Sequence, residues 1–143
     1  MINALFGGYG TENLSRRHLA ISIHRMAIVE DHDTTRKALR GIFEMMGWQV
    51  SEVMTVADAL KFLDARPEPC CMLLDLDLPD GRGETVLAKL REMNLKTRVV
   101  VASGMCDPVR LKAVLDLKPD AFMPKPITVE AVWEGICRVC GDD

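Results

Sequence analysis

Five polar residues follow directly on apolar runs of the chain, and their side chains could bind a cation and a phosphoryl group. They are Glu30 and Asp31 after Met-Ala-Ile-Val, Asp75 after Cys-Met-Leu-Leu, Ser103 after Val-Val-Val-Ala, and Lys125 just past Ala-Phe-Met. Carboxylates that lie close together repel, so they either take up protons or bind a cation. Oxygen ligands without cysteine or histidine favour a hard ion, and Mg²⁺ is the ion we expect. A lysine and a hydroxyl nearby could hold a phosphoryl group, which an aspartate can accept as an acyl phosphate.

The elements that must position these residues alternate between strands and helices. Short continuous apolar runs predict strands near residues 26–29, 48–50, 70–74, 99–102 and 121–123. The segments between them carry apolar residues at helical spacing. Thr55, Asp107 and Thr128 are predicted to cap the second, fourth and fifth helices. The second strand is the least apolar, which favours a position at an edge of the sheet.

Strands that alternate with helices predict βαβ units, and therefore a parallel sheet covered on both faces. The continuous apolar strands agree with burial on both sides. In such a sheet the carboxyl ends of the strands share one edge, where ligands bind at the switch in strand order. The five polar residues should therefore meet at this edge.

Four segments of the chain, in this order, resemble the receiver domain of two-component response regulators. They are IVEDHD (28–33), LLDLDLPDGRG (73–83), VVVASG (99–104) and DAFMPKPI (120–127). The resemblance extends over about residues 25–140. It implies an α/β, flavodoxin-like (βα)5 three-layer sandwich with a five-stranded parallel sheet in the strand order 2-1-3-4-5.

The resemblance also implies roles for the acidic residues. Asp75 would be the phosphoacceptor, and Glu30, Asp31 and Asp75 would hold Mg²⁺ together with the backbone carbonyl of Asp77. By this resemblance Asp75 would be the reactive carboxylate, and Mg²⁺ and Lys125 would balance its charge.

The remaining site residues would contact the phosphoryl group and report its presence. By the same resemblance, Ser103 and Lys125 contact the phosphoryl group, Ser103 moves inward on phosphorylation, and Phe122 rotates into the vacated space. The surface around the fourth helix, fifth strand and fifth helix would change as a result. The resemblance further implies a cis peptide bond between Lys125 and Pro126.

The predicted function is that of a stand-alone signalling receiver and not of an enzyme, because it would catalyse only its own phosphorylation and dephosphorylation. The phosphoryl donor would be a sensor histidine kinase or a histidine phosphotransfer protein. Only about 17 residues follow Pro126, so the output would pass through a downstream protein, unless the chain is one domain of a larger protein. Homodimerisation through the last two helices is left open.

Two other functions compete with this interpretation. Residues 75–78, DLDL, resemble the nucleophile and acid pair of haloacid-dehalogenase-like phosphatases, with Asp75, Asp77, Ser103 and Lys125 in the catalytic positions. That family begins with this strand, however, whereas here it is the third. A flavodoxin-like FMN binder would need a phosphate loop after the first strand, where residues 30–33 carry three acids that repel phosphate.

The composition of the chain bears on its binding partners and its cellular compartment. The net charge of −3 gives no electrostatic reason to expect nucleic-acid binding. No apolar stretch approaches the roughly 20 residues that cross a bilayer. The five cysteines form no even framework, and Cys137 and Cys140 are interpreted as two thiols on the last helix of a cytoplasmic protein.

The predicted domain organisation has two parts. Residues 1–24 form an N-terminal leader, for which a flexible arm, an extra helix and an upstream start before Met26 all remain open. Residues 25–143 form the receiver domain.

Overall fold

Five strands of the chain form one parallel sheet with helices on both faces. The computed structural model describes residues 24–104 and 107–140. The strands are β1 (Arg25–Val29), β2 (Gln49–Val53), β3 (Cys71–Asp75), β4 (Asp77–Leu78), β5 (Gly81–Arg82), β6 (Arg98–Ser103) and β7 (Ala121–Pro124). The helices are α1 (Asp33–Met45), α2 (Val56–Phe62), α3 (Glu84–Glu92), α4 (Pro108–Asp116) and α5 (Val129–Cys140).

The order of strands across the sheet is β2-β1-β3-β6-β7, and all neighbouring pairs are parallel. Once the separate β4–β5 ribbon is set aside, this is the predicted order 2-1-3-4-5 of a flavodoxin-like fold. The edge position of β2 is also confirmed, and its residues alternate in exposure until Val53. The three central strands β1, β3 and β6 are almost wholly buried, which explains their continuous apolar sequences.

The helices begin and end where the sequence provides local signals. The side chains of Thr55, Asp107 and Thr128 accept backbone N–H bonds at 3.0, 2.9 and 3.0 Å, so all three predicted caps form. Gly47 follows the end of α1 with φ of 89°, a left-handed conformation that costs glycine little. The predicted cis peptide bond between Lys125 and Pro126 is present.

The core has two halves, one on each face of the sheet. Helices α2, α3 and α4 cover the first half, and α1 and α5 cover the second. In the second half Phe43 lies between two tryptophans, with ring centroids 5.3 Å from Trp48 and 5.1 Å from Trp133. We call Phe43, Trp48 and Trp133 the aromatic cluster. His24 stacks on Trp48 at 4.6 Å, so the chain already packs on the domain one residue before β1.

The segment after β3 contains more structure than the sequence predicts. Pro79, Gly81 and Gly83 in this segment indicate a loop, but β4 and β5 pair antiparallel as a two-residue ribbon. The Asp80 carboxylate belongs to the turn sequence Pro-Asp-Gly, and it accepts the backbone N–H groups of Val56 at 2.7 Å and Ala57 at 3.0 Å. It thereby caps α2 from 24 residues away and fixes the ribbon against that helix.

Two sequence expectations concern the cysteines and membrane crossing. Cys70, Cys71, Cys137 and Cys140 carry thiols rather than disulfides, and Cys137 and Cys140 lie on α5 as predicted. In residues 24–104 and 107–140, no helix has the length and hydropathy needed to cross a membrane. The predicted leader, apart from His24, and Cys106 lie outside the described residues. The boundary between leader and domain stays a prediction.

Candidate functional site

A pocket of about 400 Å³ opens at the carboxyl edge of the sheet, and the predicted site residues gather there. Its walls include Glu30, Asp31, Asp75, Asp77 and Lys125. Residues from the ends of β1, β3 and β7, up to 95 positions apart in sequence, therefore share one cavity. The parallel arrangement of the strands accounts for this convergence.

Lys125 forms the positive side of the pocket. Its Nζ atom lies 3.1 Å from Oδ2 of Asp75 and 3.2 Å from Oε1 of Glu30. Burial by itself would lower the pKa of Lys125, but the hydrogen bond and charge of Asp75, with those of Glu30, outweigh burial and raise it. The Lys125 side chain therefore stays positively charged, and its charge compensates one of the two carboxylates that it contacts.

Three of the carboxylates that line the pocket form a cluster. Oxygens of Glu30, Asp31 and Asp75 all lie within 4.8 Å of one another. Glu30 and Asp75 are buried, whereas Asp31 is exposed. Burial raises the pKa of Glu30, and a hydrogen bond to Asp75 raises it further. In the absence of a cation, Glu30 therefore holds a proton more readily than an exposed glutamate does.

This donor set fits a hard divalent cation. All three groups offer oxygen atoms, and the exposed position of Asp31 leaves one side of the cluster open to water and to a ligand. A hard ion such as Mg²⁺ prefers carboxylate oxygens and keeps several of its waters. The role of the Asp77 backbone carbonyl as a further ligand stays a prediction, although Asp77 does line the pocket.

Ser103 and Phe122 are the predicted switch residues, and they lie at different depths. Ser103 ends β6 and is buried, with Oγ 3.4 Å from Oδ2 of Asp77. The strand register places the residue before it, Ala102, opposite Asp75. Phe122 lies on β7, half-buried against the core half that α2, α3 and α4 cover. The switch role of both residues stays a prediction.

The loop that carries Glu30 and Asp31 has a buried support that sequence reasoning missed. Arg36 on α1 is only 5% exposed, and its guanidinium donates to the backbone carbonyl of Glu30 at 3.0 Å. The same group pairs with Asp33 at 2.5 Å and with Glu52 at 3.0 Å. Arg36 thus holds the acidic loop from behind, and its contact with Glu52 on β2 has no local sequence signal.

A second arginine, Arg110 on α4, also escaped prediction. It donates to the Asp77 carboxylate at 3.0 Å and to both oxygens of Glu84, at 2.7 and 2.8 Å. The partners are 26 and 33 residues from Arg110 in the sequence. An acidic residue in the first turn of α3 is the only local hint, because such residues favour a helix N-terminus.

Comparisons with known proteins agree with this geometry. The family model described as the response regulator receiver domain matches residues 26–136. Among curated proteins, the KDP operon transcriptional regulatory protein KdpE of Escherichia coli (strain K12) is 33% identical over 102 residues, which are 71% of this chain and 44% of that protein. The chain therefore spans less than half the length of this relative.

Solved structures share the fold. A CheY-like response regulator receiver domain protein from Methanospirillum hungatei JF-1 superposes with a TM-score of 0.76 at 23% identity, over 82% of this chain and 93% of that chain. A response regulator protein from Burkholderia pseudomallei, solved with a phosphorylated aspartic acid, calcium ion and citrate, gives a TM-score of 0.70 at 20% identity. It is covered over 65% of its length, and this chain over 78%.

Proposed function

The chain belongs to the response regulator receiver domain family of two-component systems, and from this we propose that it accepts a phosphoryl group on Asp75. The donor is a phosphohistidine on a sensor histidine kinase or a histidine phosphotransfer protein. One observation carries the proposal, namely the contact of Asp75 with Lys125 at 3.1 Å inside a pocket that Glu30 and Asp31 also line. The Burkholderia pseudomallei relative, with its phosphorylated aspartic acid, supports the same chemistry.

In the proposed reaction, a carboxylate oxygen of Asp75 attacks the phosphorus atom of the donor. The new O–P bond forms as the P–N bond to the donor imidazole breaks, and the imidazole nitrogen keeps the electron pair. Backbone N–H of Asp77 donates to Oδ1 of Asp75 at 3.0 Å, and Lys125 contacts Oδ2, so both oxygens have a defined orientation. Fixed orientation of reacting groups is a large part of catalysis in phosphoryl transfer.

The Lys125 ammonium would also bind the phosphoryl group once that group is on Asp75. It is already held between Asp75 and Glu30, so it can contact a phosphoryl oxygen without a large rearrangement. When bound by Glu30, Asp31 and Asp75, Mg²⁺ would supply positive charge against the phosphoryl oxygens. The Ser103 hydroxyl would exchange its contact with Asp77 for a contact with a phosphoryl oxygen. Phe122 would then rotate into the space that Ser103 vacates.

The signal would leave the domain through another protein, or through further domains of a longer protein. The related KdpE is a transcriptional regulatory protein of which this chain covers less than half, and it is an example compatible with the second arrangement. We propose a stand-alone receiver in the cytoplasm that acts through a protein partner. It would not turn over an external substrate.

The experiment is phosphorylation by acetyl phosphate, followed by intact-protein mass spectrometry. We expect labelling that requires Mg²⁺, stops with EDTA and is abolished in Asp75→Asn. Asp64→Asn is the matched control, because Asp64 is an exposed aspartate outside the pocket. Labelling that persists in Asp75→Asn would refute the assignment of the acceptor. Phosphotransfer from candidate histidine kinases would then identify the donor.

A phosphate-release assay on small phosphomonoesters addresses the phosphatase alternative. That mechanism needs Asp77 as a proton donor, whereas its carboxylate forms an ion pair with Arg110 at 3.0 Å. A receiver takes up one phosphoryl group per chain, while a phosphatase releases many phosphates per chain from small phosphomonoesters. Multiple turnover would therefore favour the alternative over our proposal.

A further inference from the structure

Arg110 connects α4 to the segment that directly follows the proposed phosphoacceptor. Its side chain is only 16% exposed. The guanidinium donates to both carboxylate oxygens of Glu84, to the Asp77 carboxylate at 3.0 Å and to the backbone carbonyl of Leu76 at 2.9 Å. A bidentate pair with two further contacts fixes the plane of an arginine side chain. Arg110 therefore fixes the relative positions of its partners, unlike an exposed ion pair whose side chains can move.

Among the side chains that Arg110 contacts, Asp77 is the one that lies at the proposed site of phosphorylation. It lines the phosphoryl pocket, its backbone N–H donates to Asp75, and its Oδ2 atom lies 3.4 Å from Oγ of Ser103. One oxygen of this carboxylate thus accepts a hydrogen bond from Arg110, and the other accepts one from the Ser103 hydroxyl, which is expected to move. If Ser103 turns to a phosphoryl oxygen, Asp77 loses that contact and keeps only Arg110 among the polar side chains described above.

The charge balance of the pocket shows why this matters. Four carboxylates line it, those of Glu30, Asp31, Asp75 and Asp77, against the single ammonium of Lys125. A divalent cation would still leave one negative charge uncompensated by groups of the pocket wall. An incoming phosphoryl donor is itself an anion, so the remaining negative charge would repel it.

We propose that Arg110 is a positioning residue for phosphoryl transfer to Asp75, which acts by neutralising the Asp77 carboxylate and holding it toward α4. This inference rests on the proposed function and extends it, because it identifies what admits an anionic donor to an acid-rich pocket. It also means that the position of α4 and the reactivity of the pocket depend on one guanidinium. A structural role for Arg110, confined to its pair with Glu84, is the competing explanation.

The test compares five variants: Arg110→Gln, Arg110→Lys, Asp77→Asn, Glu84→Gln, and the double variant with Arg110→Gln and Asp77→Asn. The half-saturating concentration and the maximal rate of acetyl phosphate labelling are measured separately. Calorimetry measures beryllofluoride binding in Mg²⁺ as a non-covalent counterpart. Urea unfolding shows which variants are folded, and Arg110→Lys keeps the charge if Arg110→Gln does not fold.

We expect Arg110→Gln to raise the half-saturating acetyl phosphate concentration about three- to fivefold, with a smaller change in maximal rate, because Asp77 is half-exposed and its charge is partly screened. Beryllofluoride should bind more weakly by a similar factor. High salt should reduce the difference, since it screens the uncovered carboxylate. Arg110→Lys, and addition of Asp77→Asn to Arg110→Gln, should both restore donor binding to within about twofold of the unmodified chain, because each removes the uncompensated charge.

Three results would overturn the proposal. In the first, Arg110→Gln leaves the half-saturating concentration unchanged. In the second, the loss persists when Asp77→Asn is added but is reproduced by Glu84→Gln, so that Arg110 only anchors α4 to the start of α3. In the third, the unmodified chain is not labelled at all, which would remove the proposed function as well. If labelling still depends on Asp75 and either of the first two results is found, only the role of Arg110 is refuted, and the proposed function stands.

Discussion

Replacement of Gly83 by alanine should damage both the stability and the reactivity of the domain. Gly83 is buried just before α3, and its backbone N–H donates to the carbonyl of Leu76 at 2.9 Å. A Cβ atom at this position would lie 2.2 Å from the backbone oxygen of Asp75 and 2.8 Å from Cα of Leu76. The φ angle of −61° suits alanine, so the obstacle is space and not backbone conformation.

The size of the effect follows from what the new methyl group meets. Overpacking a core costs about 1–3 kcal/mol when side chains can adjust. Here the neighbour is the backbone of the acceptor strand, which has no alternative rotamer, so we expect about 3 kcal/mol or more. For a domain of this size that corresponds to a fall in Tm of roughly 10 °C or more. Because Asp75 would shift with its backbone, labelling of folded Gly83→Ala should fall by tenfold or more, up to about 100-fold for a displacement near 1 Å.

Gly41→Ala provides a matched control with the same chemical change. Gly41 is exposed inside α1, and an added Cβ atom would meet nothing within 4 Å. Alanine there should stabilise the domain by about 0.5–1 kcal/mol, because glycine loses more backbone entropy in a helix. Urea unfolding followed by circular dichroism measures both variants. If Gly83→Ala is as stable as the unmodified chain and is labelled normally, the close approach of α3 to Asp75 does not exist as described.

Two further predictions concern buried or paired side chains away from the acceptor. Thr97 is 2% exposed, and its hydroxyl donates to the carbonyl of Pro69 at 2.7 Å, so Thr97→Val should cost about 1–3 kcal/mol in urea unfolding by leaving that carbonyl unsatisfied. Thr97→Ser retains the hydroxyl and should cost less, and equal losses would contradict the role of this bond. Burial alone would raise the pKa of Glu84, but hydrogen bonds and charge from Arg110 hold it below its usual 4.5. Because the pKa is lowered in the folded state, the pair contributes fully above that usual value and its contribution is lost as pH falls below it. Glu84→Gln should therefore lose less stability than the unmodified chain between about pH 6 and about pH 3, and parallel curves would count against the pair.

The sheet and the convergence of the site could be predicted from the sequence because both depend on local signals repeated along the chain. Continuous apolar runs mark buried parallel strands, and polar residues at their carboxyl ends must share an edge. That reasoning places Glu30, Asp31, Asp75 and Lys125 in one pocket without knowledge of any distance. The caps at Thr55, Asp107 and Thr128 are equally local, because each accepts from a backbone N–H within three residues.

The supporting contacts could not be predicted, and the reason is physical. Arg36, Asp80 and Arg110 each bind a partner 16 to 34 residues away, across helices or loops whose relative positions follow only from the complete fold. A charged residue on a helix has the same local pattern whether it faces water or a buried carboxylate. Asp80 illustrates the difference, because its turn sequence is evident while its bonds to the start of α2 are not.

The aromatic cluster determines what intrinsic fluorescence can report about this protein. Both tryptophans, Trp48 and Trp133, lie in the core half that α1 and α5 cover. Phe122 packs on the opposite face, and Arg110 lies on a helix of that face. Indole emission will therefore follow the α1–α5 layer, and a movement confined to Phe122 and α4 will leave it nearly constant. A tryptophan introduced at Phe122 would give the opposite layer an optical probe of its own.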